Sequence, residues 1–343
     1  MTIPSLRNPY LVFLGDAFSD LDAKTGHGVA YWTPEDCVGQ LRYANCRADT
    51  GLPDMDIRQA VRAGARSLLI GVAPTGGAIK ADWVSTLAAA LEAGLDVISG
   101  MHTPLESVPR LANAAARSGQ RLVNLRVPPE DIPIASGQRR SGQRLLTVGT
   151  DCAVGKKYTA LALHRALRVA GRRATFRATG QTGIMIAGEG IPIDAVVADF
   201  VAGAAELLSP DNREDHWDVI EGQGSLFHPA YAAVTLGLVH GSQPDALVLC
   251  HQHGRTIIDE YPGYPIPSWR ECIRRYEEAA QLTNPRARCI GLSINTGHLS
   301  ENARLDVLQA AADETGLPAV DPIASGVEAL LEALPEVEKE RDS

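Results

Sequence analysis

The second half of the chain opens with Leu145-Leu146-Thr147-Val148-Gly149-Thr150-Asp151-Cys152-Ala153-Val154-Gly155-Lys156-Lys157. The apolar start of this stretch predicts a strand, and residues 156–170 have the spacing of a helix that Gly171 terminates. Between them, residues 150–157 fit the eight-residue Walker A pattern, with Thr in place of its first Gly. A loop between a strand and a helix N-terminus directs backbone N–H groups at a phosphate, and Lys156 supplies the counter-charge. The stretch therefore predicts a phosphate-binding P-loop.

One position of this loop departs from the usual pattern. Lys157 stands where a Ser or Thr normally offers its hydroxyl to magnesium. Magnesium-assisted hydrolysis of a nucleoside triphosphate is therefore disfavoured, and a second cation beside Lys156 suits a phosphate that arrives without a tightly held metal. His251 and His253 could form a metal-binding pair, but no third ligand at diagnostic spacing accompanies them. We expect no tightly bound metal.

The rest of the 343-residue chain alternates apolar runs with amphipathic stretches, the order of strands and helices in a parallel sheet. The predicted strands are residues 10–14, 67–72, 95–98, 122–125, 145–148, 174–178, 218–220, 246–250 and 289–294. The predicted helices are residues 81–93, 111–117, 156–170, 269–282 and 301–315. A further helix is expected to begin near Ala195. The sequence thus predicts an α/β protein of two domains, an N-terminal Rossmann-like parallel sheet and a C-terminal P-loop NTPase-like parallel sheet.

The boundary between the domains is indicated by a change of composition. Pro128, Pro129 and Pro133 prevent a helix, and residues 127–143 therefore have the composition of a linker. The predicted domains are residues 1–126 and 144–335, and the charged residues 336–343 are expected to form a frayed tail. In the first domain the Gly15-Asp16 pair and residues 71–77 look like Rossmann turns. No full G-x-G-x-x-G follows, which gives little support to an NAD site there.

Composition excludes several classes of partner. The net charge is -9 and the basic residues are dispersed, so the extended positive surface that nucleic acids require is not indicated. No apolar stretch approaches the roughly 20 residues that span a bilayer. The six cysteines form no C-x-x-C pair and no dense disulfide framework, as is typical of a reducing compartment. We expect a cytoplasmic protein that binds neither nucleic acid nor a membrane.

Several polar side chains follow the predicted strands of the second domain, where ligands of open α/β sheets bind. Glu221 ends a buried strand, the place where P-loop proteins put a metal-binding or catalytic carboxylate. A solvated acid in a tight glycine turn is the alternative interpretation. The candidate residues outside the P-loop are Arg177, Thr179, Gln181, Thr182, Glu221, His228 and Arg255.

The sequence resembles two known groups of proteins. Residues 149–156, Gln181-Thr182-Gly183 and residues 219–224 look like segments of dethiobiotin synthetase, over the second domain only. Nearly the whole chain resembles a bacterial family with a Rossmann-like N-terminal domain and a P-loop C-terminal domain. The stretches that match this family are residues 70–77, 149–156, 178–183 and 193–200. It includes D-glutamate N-acetyltransferases that use acetyl-CoA.

This second resemblance implies an acetyl-CoA-dependent N-acetyltransferase that acts on an acidic amino acid, D-glutamate. Residues 150–157 could hold the phosphates of CoA without a metal. Glu221 or His228 is then the candidate base for the amine, and Arg255 offers a guanidinium to a carboxylate of the acceptor. The further substrate-binding candidates are Arg177, Thr179, Gln181 and Thr182. We expect small-molecule substrates and a homo-oligomer.

Three other functions remain open at this point. An ATP-dependent ligase of the dethiobiotin-synthetase type is favoured by Gln181, Thr182 and Glu221 and opposed by Lys157. An NAD-linked enzyme would use the first domain. A non-catalytic nucleotide-binding sensor would bind its ligand tightly and turn over no acetyl donor.

Overall fold

The computed structural model describes residues 6–20, 22–72 and 77–335. It divides into two compact units. The first comprises the chain up to Pro129 together with Gln181–Ala195, and the second comprises Glu130–Gly180 and the chain from Val196 onward. Residues 125–142, all of them described, form no helix or strand. The expected tail 336–343, and residues 73–76 of the expected turn 71–77, lie outside the described residues.

Strands and helices alternate along both units. The strands are β1 Tyr10–Gly15, β2 Cys37–Arg42, β3 Ser67–Ile70, β4 Asp96–Ser99, β5 Leu122–Asn124, β6 Gln143–Gly149, β7 Arg173–Arg177, β8 His216–Ile220, β9 Ala246–Gln252, β10 Arg288–Asn295 and β11 Ala319–Val320. The helices are α1 Lys24–Trp32, α2 Ile57–Arg62, α3 Val84–Glu92, α4 Pro109–Ser118, α5 Lys156–Val169, α6 Gln181–Ala187, α7 Val201–Leu208, α8 Ala232–Ser242, α9 Trp269–Gln281, α10 Glu301–Thr315 and α11 Glu328–Glu332.

The first unit contains a five-stranded sheet in the order β2-β1-β3-β4-β5, with every neighbouring pair parallel. This is the flavodoxin-like doubly wound order, in which the winding reverses between β1 and β3. All six residues of β1 are buried, as expected for a parallel strand covered on both faces. On α1, a Cβ at Gly26 would lie 2.7 Å from a methyl of Leu14 and 3.2 Å from the backbone oxygen of Gly71, so this close approach of the helix to the strands favours glycine.

The second unit contains a six-stranded parallel sheet in the order β11-β10-β9-β6-β8-β7. The central strand β6 pairs with β9 on one side and β8 on the other, with Gly149 opposite Cys250 and Leu146 opposite Ile220. Parallel strands end at the same edge of a sheet. The loops that follow β6, β8 and β9 therefore leave from adjacent positions.

The predicted fold class is confirmed: both units are α/β with parallel sheets. Each predicted strand and helix is present, with ends that differ by a few residues. The pattern missed β2, β11, α1, α2, α6, α8 and α11. The helix expected near Ala195 is α7, which begins at Val201. Among the described residues no helix combines the length and apolarity needed to cross a bilayer. All six cysteines are free.

Candidate active site

The P-loop, residues 150–157, connects the end of β6 to the start of α5. Ala153 and Gly155 adopt positive φ angles of 54° and 103°, which turn the chain tightly into the helix. The start of the loop is fixed by two hydrogen bonds: the buried Tyr276 hydroxyl donates to the Gly149 carbonyl (2.7 Å), and the Thr150 N–H donates to the Cys250 carbonyl (3.0 Å). The predicted sequence of strand, loop and helix is confirmed.

Lys156 is almost completely buried and folds back over this loop. Its Nζ donates to the Asp151 carbonyl at 2.8 Å. A Cβ at Gly149 would lie 3.0 Å from that Nζ, so glycine makes room for the ammonium group. Burial lowers the pKa of Lys156, while nearby thiols and carboxylates act in the opposite direction. A phosphate placed on the loop would supply the full counter-charge that this ammonium group requires.

Asp151 is fully buried and joins the P-loop to the segment after β9. Its Oδ1 accepts from the Cys152 N–H (2.6 Å), and its Oδ2 accepts from Arg255 Nη1 (2.8 Å) and the Asp259 N–H (2.9 Å). Arg255 Nη1 also donates to the Cys152 carbonyl (2.9 Å), and Nη2 donates to Gln252 Oε1 (2.6 Å). The structure thus brings Arg255 to the P-loop, where two of its five N–H donors are used, and a third is used by Gln252.

Glu221 follows β8 directly and is buried, with 4% of its surface exposed. Its Oε2 accepts from the N–H groups of Thr179 (3.0 Å) and Gly180 (3.1 Å). Desolvation raises the pKa of Glu221 above its usual range, against the opposing effects of Lys157, these two N–H groups and Lys156. A buried carboxyl with a raised pKa is a stronger proton acceptor than an exposed one, which suits general base catalysis.

Thr179 and Arg177 lie at the end of β7, beside Glu221. The Thr179 hydroxyl donates to the Glu221 carbonyl (2.7 Å) and accepts from the Gln223 side-chain amide (3.0 Å). Arg177 Nε donates to the buried carboxylate of Asp218 at 2.8 Å. Both side chains therefore hold the end of β7 against β8. In the sequence, Gln223 stands in residues 219–224, the glycine-rich stretch similar to dethiobiotin synthetase, but it is not among the candidate residues.

Gln181 and Thr182 belong to α6 and to the first compact unit. Gln181 Nε2 donates to both carboxylate oxygens of Asp194, at 3.1 and 3.2 Å. The hydroxyls of Thr182 and Thr25 are 3.1 Å apart, and Arg126 forms a 2.7 Å ion pair with Asp194. The predicted second domain, residues 144–335, includes Gln181 and Thr182, whereas the structure places both in the first compact unit, where their partners lie.

His228 lies beside the P-loop. Single ligand atoms of Asp151, Cys152 and His228 all lie within 4.8 Å of one another, the geometry of a possible metal site. The Asp151 carboxylate, however, already serves two N–H groups and the cationic Arg255, which disfavours a second cation. The Ala230 N–H donates to His228 Nδ1 at 3.1 Å. The neutral ring therefore carries its proton on Nε2, where it is a donor.

The two histidines at the end of β9 have separate partners. His251 is buried, and its Nδ1 lies 2.9 Å from the Thr150 hydroxyl. Burial lowers the pKa of His251 to about 4, so the ring is neutral where it supports the P-loop. His253 instead stacks on His298, with Nδ1 and Nε2 of the two rings 3.2 Å apart.

Comparison with known proteins identifies the family. A model described as "Domain of unknown function (DUF1611_C) P-loop domain" matches residues 133–331, and one described as "Domain of unknown function (DUF1611_N) Rossmann-like domain" matches residues 38–128. The chain belongs to the DUF1611 family. This confirms the resemblance to a family with a Rossmann-like and a P-loop domain.

This DUF1611 protein is similar over nearly its whole length to two curated relatives. It is 49% identical over 329 residues to a D-glutamate N-acetyltransferase of Tritonibacter scottomollicae, covering 96% of this chain and 99% of the relative. It is 42% identical over 326 residues to a D-glutamate N-acetyltransferase of a Pseudoalteromonas species, covering 95% and 98%. A crystal structure of a DUF1611 family protein from Anabaena variabilis aligns with a TM-score of 0.85 at 36% identity, covering 95% and 99% of the two chains.

Proposed function

We propose that this DUF1611 protein is a D-glutamate N-acetyltransferase with acetyl-CoA as its donor. The observation that carries the proposal is the near full-length similarity to two D-glutamate N-acetyltransferases at 49% and 42% identity. The site supports it in two ways. Lys157 replaces the magnesium-binding hydroxyl, so the P-loop is suited to a phosphate that needs no metal. A buried acid with a raised pKa follows the neighbouring strand β8.

The reaction joins the amino nitrogen of D-glutamate to the acetyl carbonyl carbon and breaks the bond from that carbon to the sulfur of CoA. The amine must lose a proton as the new bond forms, and the departing thiolate takes up a proton. We assign both transfers to Glu221, which accepts the proton from the amine and returns it to the sulfur. His228 is the less suitable base because its Nδ1 already accepts from Ala230 and its Nε2 carries the proton.

This assignment sets a condition on the donor. The phosphates of CoA on the P-loop place the thioester at the end of β8 only if the pantetheine arm runs along the carboxyl edge of the sheet. Lys156, at the N-terminus of α5, is the cation for those phosphates. The proposed substrate contacts also include four side chains that already form hydrogen bonds within the protein: Arg177, Thr179, Gln181 and Thr182.

The proposed activity is tested by the release of CoA thiol with D-Glu, L-Glu, D-Asp or no acceptor. We expect thiol release with D-Glu and none with L-Glu, D-Asp or no acceptor. We expect the same rate of release in EDTA, because no proposed step uses a metal. Turnover that chelation abolishes and magnesium restores, with ATP consumed, would instead support the ATP-dependent ligase. Tight nucleotide binding with no turnover of any acetyl donor would support a sensor.

Replacing Lys156 by Ala is expected to weaken CoA binding by about 1.5–3 kcal/mol, because a charge-assisted contact to phosphate is lost. Calorimetric titration of CoA measures the change. Lys24→Ala, an exposed cation on α1, is the matched control. An unchanged dissociation constant in Lys156→Ala would show that the P-loop holds a different ligand.

Arg255 is proposed to bind a carboxylate of D-glutamate with the two N–H donors that its contacts with Asp151, Cys152 and Gln252 leave over. Arg255→Lys keeps the charge but loses the planar fork, so the KM for D-glutamate should rise before that for acetyl-CoA does. Steady-state kinetics with each substrate varied in turn separates the two constants. Equal rises in the two KM values would show that Arg255 only holds the P-loop in place and does not bind D-glutamate.

The remaining proposals concern the environment of the protein. Six free cysteines are compatible with a reducing, cytoplasmic compartment. A homo-oligomer is also proposed, and light scattering on the purified chain measures its mass directly.

A further inference from the structure

Three tyrosines form an aromatic cluster in the second unit. Tyr261 and Tyr264 belong to the loop between β9 and α9, and Tyr231 precedes α8. The His228 ring lies 4.5 Å from the Tyr231 ring and 5.0 Å from the Tyr261 ring, and the Tyr261 and Tyr264 rings are 6.2 Å apart. Three of the eight tyrosines of a chain with only 5% aromatic residues thus meet in one place.

Much of this aromatic surface is open to solvent. Tyr231 is 54% exposed and Tyr264 is 50% exposed. Their rings are not part of the core, and an exposed patch of aromatic surface is typical of a ligand or partner site. The rings meet edge to face or tilted rather than stacked flat, with interplanar angles between 36° and 85°.

The loop that carries Tyr261 and Tyr264 is well fixed. Ile257 and Pro265 form an antiparallel bridge, and the Ile258 N–H donates to the Tyr264 carbonyl at 2.9 Å. Its base is held to the P-loop because the Asp259 N–H donates to Asp151 Oδ2. Binding a ligand on these rings therefore requires little ordering of the loop.

The cluster adjoins the P-loop through His228, whose ring nitrogen lies within 4.8 Å of ligand atoms of Asp151 and Cys152. A ligand with its phosphates on the P-loop and a planar ring a short distance away could occupy both surfaces. D-Glutamate has two carboxylates and no planar ring system. Of the two proposed substrates, only CoA carries a purine attached to phosphates.

We propose that the cluster of Tyr231, Tyr261 and Tyr264 binds the adenine of CoA, which stacks on the face of one ring and meets the edges of the others, while the P-loop binds the phosphates of CoA. The inference rests on the proposed function, because it takes the donor to be CoA. Stacking uses the face of the ring and not the hydroxyl, so Phe replaces Tyr without loss and Ala does not.

The test is calorimetric titration of Tyr264→Ala and Tyr231→Ala with CoA, adenosine 3′,5′-bisphosphate and ATP, together with kinetics on acetyl-pantetheine. The dissociation constants for CoA and the bisphosphate should rise about 5- to 100-fold, as is usual for loss of one stacking contact. Turnover of acetyl-pantetheine, which lacks the nucleotide, should stay unchanged. Tyr264→Phe should bind CoA as the wild type does. Tyr31→Ala, which removes a ring that is 49% exposed on α1, is the matched control.

Unchanged CoA binding in both Ala variants would overturn the adenine site and leave the proposed acetyltransferase intact. An equal loss of turnover with acetyl-pantetheine would also overturn the adenine site, because it would place the rings beside the pantetheine arm or the acetyl group. Failure of the wild-type protein to bind CoA at all would overturn the donor assignment itself. If the Ala variants weakened ATP but not CoA, the rings would serve a different nucleotide and the inference would be wrong.

Discussion

Glu221→Gln is expected to lower kcat for D-glutamate acetylation by about 10²- to 10⁴-fold, the usual contribution of a general base. Gln has nearly the same shape, and its amide oxygen can still accept from the N–H groups of Thr179 and Gly180. It cannot take a proton from the amine. CoA affinity should change little, because the P-loop supplies those contacts. Steady-state kinetics and calorimetric titration on the same preparation check both expectations.

The pH dependence gives this prediction a second measurement. Burial raises the pKa of Glu221 above its ordinary value of 4.5. The base is protonated below its raised pKa, so kcat/KM should fall as the pH falls through that value, and this acid limb should be missing from the residual activity of Glu221→Gln. Glu314→Gln, on the exposed side of α10, is the control. If Glu221→Gln kept full activity and the same acid limb, another group would be the base.

The order of strand, P-loop and helix could be predicted from the sequence because local signals determine it. The short, mostly apolar run of residues 145–148 identifies β6, Gly155 allows the φ of 103° at the start of α5, and Gly171 ends the helix with a φ of 73°. Glu221 was identifiable for a similar reason: an acid that directly follows a buried strand of a parallel sheet stands at the edge where ligands bind.

Other elements were missed because tertiary packing determines them. Gly26 and Gly28 lower the helix propensity of α1, and the helix forms because Gly26 packs closely against β1 and Gly71. The hydrophobic residues of α8 are not confined to one face, so its periodicity gave no helix signal. In both cases burial outweighs local preference.

The environment of each candidate residue also depends on contacts far apart in the chain. Asp151 and Asp259 are 108 residues apart, and nothing in either sequence segment predicts that the amide of one donates to the carboxylate of the other. The same holds for Thr25 and Thr182, which are 157 residues apart in the chain and 3.1 Å apart in the first unit. A motif identifies which side chains are chemically suitable, and the fold determines which partners they have.

Asp151→Asn is expected to destabilise the second unit by about 3 kcal/mol, because it removes the charged partner of Arg255, whose side chain is only 17% exposed. The Asn side chain would also point its own N–H groups at N–H donors whose hydrogen bonds the Asp151 carboxylate now accepts. For a unit of this size the loss corresponds to a fall in melting temperature of roughly 6 to 12 °C. Calorimetric unfolding measures it.

The double variant Asp151→Asn with Arg255→Gln separates the buried charge from the other contacts of the loop. Removing both charges should recover a large part of the stability, because no unpaired guanidinium is then left inside. CoA binding should be weaker than in the wild type in both the single and the double variant, since the P-loop loses the charged attachment of Asp151 to Arg255 and to the loop that carries Tyr261 and Tyr264. If Asp151→Asn unfolded at the wild-type temperature, solvent would be screening Arg255, and Asp151 would not be the residue that fixes the P-loop.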